Sequence, residues 1–178
     1  MKSIELISDF NLELLQKIFL KNKKFKVKKF DYSNIFFQMK NGLSSDINLI
    51  LASAEGIFSS YNDFLNTGSI NFSKLDKELT SFKSLLVNDK NIQKKIFICT
   101  FINYQQPVIH SINNYKNSNS VTYILNYINN KLSDFFSKNN NVYLFDLNDM
   151  ILKYKSQPID QNYYLISKSY FNLKFYIF

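Results

Sequence analysis

Arginine and tryptophan are absent from this chain of 178 residues, which holds one cysteine, one histidine, two prolines and three glycines. The single cysteine, Cys99, excludes an internal disulfide and any zinc site built on several thiolates. Without arginine the chain lacks the planar fork that most often reads guanine edges and grips phosphates, so its positive charge argues little for nucleic acid. Long apolar runs are missing too. Stretches such as Ile96-Phe97-Ile98-Cys99 fall far short of the ~20 residues that cross a bilayer. The opening Met1-Lys2-Ser3-Ile4-Glu5 puts an acid where a secretory leader needs its apolar stretch. These absences predict a soluble, cytoplasmic protein with no membrane span.

What is present is core-forming material, 46% hydrophobic and 17% aromatic, which argues against disorder. The net charge of +8 comes from lysine alone, in a chain rich in asparagine, isoleucine, phenylalanine and tyrosine. That mixture resembles the coding bias of an AT-rich genome, so part of the charge reflects composition and not a selected surface. Its densest run is Lys21, Lys23, Lys24, Lys26, Lys28 and Lys29. Two readings apply: a patch for an acidic partner or a phosphate backbone, centred on Lys24, Lys26 and Lys28, or an edge strand guarded against pairing.

Short β-prone runs alternate with helical spacings. Strands are predicted at residues 4–10, 25–30, 47–52, 96–102 and 142–145. Asn11 can cap a first helix carrying Leu12, Leu15, Ile18 and Phe19. Further helices are predicted at 32–40, from a Ser73 cap through Leu86, at 121–137, and after Asp146. The third strand is nearly all apolar, as a strand covered on both faces reads. The pattern predicts a three-layer α/β/α sandwich around a five-stranded parallel sheet of flavodoxin-like order, 2-1-3-4-5.

In such a sheet ligands gather beyond the carboxyl ends of the strands. Those ends offer Asp9, Asn11, Ser53, Glu55, Asn103 and Asp146 as ligand-binding candidates. Ser8 could pair with His110, the lone histidine, with Asp9 or Asp160 orienting the ring; the competing reading makes Ser8 a strand terminus and His110 an ordinary loop residue. Asp146 could be a phosphoryl-accepting nucleophile, or a strand end before a helix capped by Asn148 or Asp149. A magnesium ion shared by Asp9, Asp146 and Asp160 is a further alternative; no other cofactor is expected.

The segments Ile7-Ser8-Asp9-Phe10-Asn11, Val142-Tyr143-Leu144-Phe145-Asp146-Leu147 and Asp160-Gln161-Asn162-Tyr163-Tyr164, with Lys168, resemble the SGNH/GDSL hydrolase-like fold. The closest likeness is to the SGNH-like N-terminal region of FkbH-type proteins, which continue into a phosphatase-superfamily (HAD) domain. The departures decide the chemistry. Phe10 stands where the family's nucleophilic serine belongs, Tyr163 stands where Asp-x-x-His puts its histidine, and Ser53-Ala54-Glu55-Gly56 replaces Gly-x-Asn. Losing a triad member costs roughly 10⁴–10⁶ in kcat, so a standard serine esterase is not expected.

The resemblance implies a catalytically degenerate domain over residues 1–162, serving as a binding or scaffolding module. An aromatic tail at 163–178 would then begin a downstream region, or drive self-association. Acyl or glyceryl transfer to a carrier protein would belong to the HAD domain, and an acidic carrier is the expected partner. The alternative is a small hydrolase using Ser8 and His110, or Asp9 and Asp160.

Overall fold

The computed structural model describes residues 2–21, 24–28, 35–104, 117–153 and 159–171. Strand β1 (Lys2–Ser8) leads to α1 (Glu13–Lys21), β2 (Phe25–Val27), α2 (Ile35–Asn41) and β3 (Ile47–Leu51). Three helices follow in series, α3 (Ala54–Ile57), α4 (Ser59–Thr67) and α5 (Phe72–Leu86), before β4 (Lys95–Cys99). Then come α6 (Val121–Phe136), β5 (Val142–Phe145), α7 (Leu147–Lys153) and α8 (Gln161–Ser167). Every strand pairing is parallel, and the order is β2-β1-β3-β4-β5. The architecture is the three-layer α/β/α sandwich that the alternation of elements predicts.

Strand alternation sorts the core into two layers. Ile7, Ile50, Ile96, Ile98 and Val142 point to one face, where α2, α4, α5 and α6 supply Met39, Phe64, Leu79, Phe82, Ile124 and Ile128. Ile4, Leu6, Leu51 and Cys99 point to the other, against Leu12, Leu147 and Phe171. The first layer is sealed. On the second, Tyr143 and Phe145 of β5 are each 41% exposed. A sheet of this kind normally hides both faces; among the described residues β5 is covered on one side and only partly covered on the other.

Local chemistry sets the boundaries and moves several of the predicted ones. β1 ends at Ser8 and not at residue 10, because the Ser8 hydroxyl accepts a hydrogen bond from Phe10 N at 3.1 Å and turns the chain. Helix α5 starts earlier than its predicted Ser73 cap: the Asn71 side chain accepts from Lys74 N at 3.0 Å, leaving Ser73 inside the helix. The connection through Gly56 and Gly68 folds into α3 and α4, and Gly68, at φ 73°, ends α4 in the left-handed region that glycine adopts freely. Residues 161–167 form α8, which Asp160 caps. The boundary expected at residue 162 falls inside that helix. No helix among the described residues is long and apolar enough to cross a membrane.

Candidate functional site

The carboxyl ends of β1 and β3 lie side by side, with Ser8 opposite Leu51. That register brings the turn after β1 against the turn after β3. The Asp9 carboxylate accepts from Ser53 N at 2.9 Å and also bonds the Ser53 hydroxyl. The same hydroxyl oxygen accepts from Gly56 N at 2.9 Å, so Ser53 caps α3 while holding Asp9. Gly56 is required by close approach: a Cβ built there would lie 2.8 Å from Asp9 Cβ and nearer still to the carboxylate. Glu55 sits half-buried beside this pair.

Burial raises the carboxyl pKa of Asp9, against the opposing hydrogen bonds from Ser53. Burial likewise raises Glu55, and the Asp9 charge adds to the rise. Both shifts are upward, so the folded protein holds protons that the unfolded chain releases. That contribution is complete below the ordinary carboxylate range, near pH 4, and is lost as pH climbs through the folded-state values. Unfolding free energy from this pair should therefore fall from about pH 4 towards neutrality. Asp9→Asn and Glu55→Gln should each flatten that slope in urea titrations run across this range. Asp46, lowered by hydrogen bonds from Ser3, acts oppositely at low pH, so the difference between variant and parent isolates the pair.

Above the carboxylates lies an aromatic cover. Phe10 is 1% exposed and meets Tyr104, Tyr170 and Phe171 at centroid distances of 5.7, 5.1 and 6.1 Å. Tyr104 stacks on Tyr170 at 4.1 Å, and Tyr170 stacks on Tyr164 at 4.2 Å. Lys168 makes this possible by taking a left-handed conformation, φ 56°, which ends α8 and turns the chain back. Ile159 then pairs antiparallel with Phe171. Burial raises the Tyr104 phenol well above its ordinary value and keeps it protonated.

Of the residues expected here, the structure brings Asp9, Ser53 and Glu55 together. Ser8 is fully buried with its hydroxyl turned to its own backbone. Asn11 has structural duties: its side-chain oxygen accepts from Glu13 N at 2.8 Å, while its amide donates to Ser167 O at 3.0 Å. Asn103 lies elsewhere, in a cleft of about 390 Å³ with Thr122, Asn126 and Asn148. Asp146 itself caps α7, accepting from Asn148 N at 2.9 Å, a task expected of Asn148 or Asp149. Asp160 caps α8, accepting from Tyr163 N at 3.0 Å. His110 lies outside the described residues. Lys26 and Lys28 are exposed at the β2 edge of the sheet, as is Lys24 just before it.

Asp146 and Asp160 direct their carboxylates at helix N-termini and Asp9 directs its own at Ser53. These three do not converge on a cation, and no cluster of three or more acidic, histidine or cysteine side chains suited to a metal occurs among the described residues. The sequence does not point to the aromatic cover: Tyr164, Tyr170 and Phe171 fall in the segment expected to form a tail. Their signal was the density of aromatic residues there, which marks burial without naming its target.

The fold and the strand-end cluster define a doubly wound parallel-sheet domain with two half-buried carboxylates, Asp9 and Glu55, at the carboxyl ends of β1 and β3. No protein-family model matches the sequence, and no curated protein matches it. Among solved structures, the chain is similar to the N-terminal part of the protein BF1531 from Bacteroides fragilis, described as containing a phosphatase domain and complexed with Mg. The match has a TM-score of 0.71 at 17% identity and covers 97% of this chain and 47% of that one. The two share a fold, and this chain spans about half of its neighbour.

Proposed function

We propose that this chain is a non-catalytic SGNH-like domain, a binding or scaffolding module equivalent to the N-terminal part of FkbH-like biosynthetic proteins. The observation that carries this reading is Phe10. At the position of the hydrolase nucleophile it presents a ring 1% exposed, sealed by Tyr104, Tyr170 and Phe171. Ser8, the nearest hydroxyl, is buried and engaged by Phe10 N. Asp9 is occupied in holding Ser53, and Asp160 in starting a helix. On this reading, group transfer belongs to a phosphatase-superfamily domain like the one in the structural neighbour.

The partner surface is the lysine edge. Lys24, Lys26 and Lys28 present positive charge along the outer side of β2, suited to an acidic acyl carrier protein. The test combines binding and turnover. Calorimetric titration with such a carrier should show an interaction that weakens with salt. Charge reversal at Lys24, Lys26 and Lys28 should weaken it at least tenfold. Nitrophenyl acetate should be cleaved no faster than in buffer. Ester turnover lost on Ser8→Ala or Asp9→Asn would overturn the non-catalytic reading, and carrier binding untouched by charge reversal would remove the lysine edge.

A further inference from the structure

In a sheet of order β2-β1-β3-β4-β5 the topological reversal falls between β1 and β3, the place where open parallel sheets gather ligands. Asp9 follows β1, Glu55 follows β3 and Tyr104 follows β4, so all three stand at that end of the sheet. Asp9 and Glu55 are half-buried, as is Tyr170, so solvent reaches this corner. Tyr104 is 1% exposed, and its hydroxyl is buried without a hydrogen-bond partner. A buried polar group left unpaired is costly and uncommon in a native fold.

The surroundings of that hydroxyl are acidic. Burial first, and then the neighbouring groups Cys99, Asp9, Tyr170 and Glu55, raise the Tyr104 phenol, which puts both carboxylates within electrostatic reach of it. Tyr170, stacked on Tyr104 at 4.1 Å, feels the same two charges. Among the described residues neither acid forms an ion pair; those found are Lys74–Asp63 and Lys153–Asp149. An ionised carboxylate accepts about four hydrogen bonds, and Asp9 gives two of those places to Ser53. Acceptor capacity therefore remains on Asp9, and Tyr104 Oη is unused.

The acceptor set selects the occupant. Magnesium and calcium complete six or more oxygen ligands, and two carboxylates with one phenol fall short of that. A primary ammonium carries three N–H donors, one each for two carboxylates and a hydroxyl. The aromatic cover lowers the local dielectric and strengthens the attraction.

We infer that Asp9, Glu55 and the Tyr104 hydroxyl form a binding site for the ammonium group of a small primary amine. The carboxylates hold its charge from the open side, and Tyr104 Oη accepts the N–H directed inward. The inference is independent of carrier docking at the lysine edge, and charge reversal there leaves it untouched.

The test titrates n-butylammonium chloride into the full chain at about pH 8, where an alkylammonium stays protonated. Amide NMR shifts of Ser53, Glu55 and Gly56 should move and saturate at about millimolar amine. Sodium chloride and tetramethylammonium chloride, which has no N–H, should not reproduce them. Glu55→Gln should weaken the midpoint at least tenfold and Tyr104→Phe at least threefold, while Asp149→Asn leaves it unchanged. Tyr104→Phe removes only the unpaired oxygen, so its amine-free Tm should be no lower than the parent's. A lowered Tm would show that the hydroxyl already has a partner, and would overturn the site. Shifts that fail to saturate, that sodium reproduces, or that keep their midpoint in Glu55→Gln or Tyr104→Phe would overturn it equally.

Discussion

Gly56→Ala is expected to lower unfolding free energy by about 2–4 kcal/mol, combining overpacking with loss of hydrogen bonds to a half-buried carboxylate. The added methyl would fall on Asp9, with Cγ 2.5 Å away and Cβ 2.8 Å away. These atoms are not the free end of a flexible chain. Asp9 is held by Ser53 N and the Ser53 hydroxyl, and Ser53 in turn caps α3 through Gly56 N. Moving Asp9 therefore breaks the cap, and moving α3 breaks the grip on Asp9. The effect is steric, since Gly56 is absent from the glycines at positive φ. Gly68 offers the contrast: nothing lies within 4 Å of its Cβ position, and alanine there would meet backbone strain alone.

A double-mutant cycle in urea checks this. In an Asp9→Gly background the methyl has neither the carboxylate nor the Asp9 Cβ to strike, so Gly56→Ala should cost less than about 1 kcal/mol there. A cost equal in both backgrounds would show that the two residues do not meet, and the strand-end cluster would lose its central contact.

Much of this molecule was legible beforehand, and the reasons differ by level. The sheet order followed from five β-prone runs, the apolar Ile47–Leu51 strand and the handedness of crossovers, all local signals with long reach. Helix α6 was legible because Ile124, Leu125, Ile128 and Leu132 keep helical spacing after Ser120. The strand ends were harder. Asp9, Ser53 and Glu55 could be placed at neighbouring strand ends, but no spacing in the sequence says that Asp9 bonds Ser53 and not a ligand. That choice is made by register, Ser8 opposite Leu51, together with the absence of a side chain at Gly56. Asp146 and Asp160 show the same limit. A carboxylate at a strand end and one capping a helix look identical until the helix start is known, and a cap contributes about 1 kcal/mol without touching any substrate. The tyrosine cover was least legible, because it depends on Lys168 turning the chain back at a left-handed residue that is not glycine.

Phe10→Ala should be the largest truncation effect, about 3–5 kcal/mol, as expected for removing a buried aromatic ring. For a chain of this size that corresponds to a fall in Tm of roughly 8–15 °C. The ring touches Tyr104, Tyr170 and Phe171, so it joins the turn after β1 to the residues after α8. Its loss should also release Tyr170 from the stack, seen as reduced near-ultraviolet circular dichroism from tyrosine. Phe10→Ser carries the decisive version. On the proposed SGNH-like reading it puts a hydroxyl at the nucleophile position, yet Ser53 still holds the neighbouring Asp9 and the residue three after Asp160 is Tyr163, not histidine. The variant should lose stability as Phe10→Ala does and gain no ester turnover. A cost below about 1 kcal/mol would mean that the ring does not seal the site. Turnover gained by Phe10→Ser would mean that a serviceable base and oxyanion site had persisted beneath it, and the domain would be a hydrolase disabled at a single position.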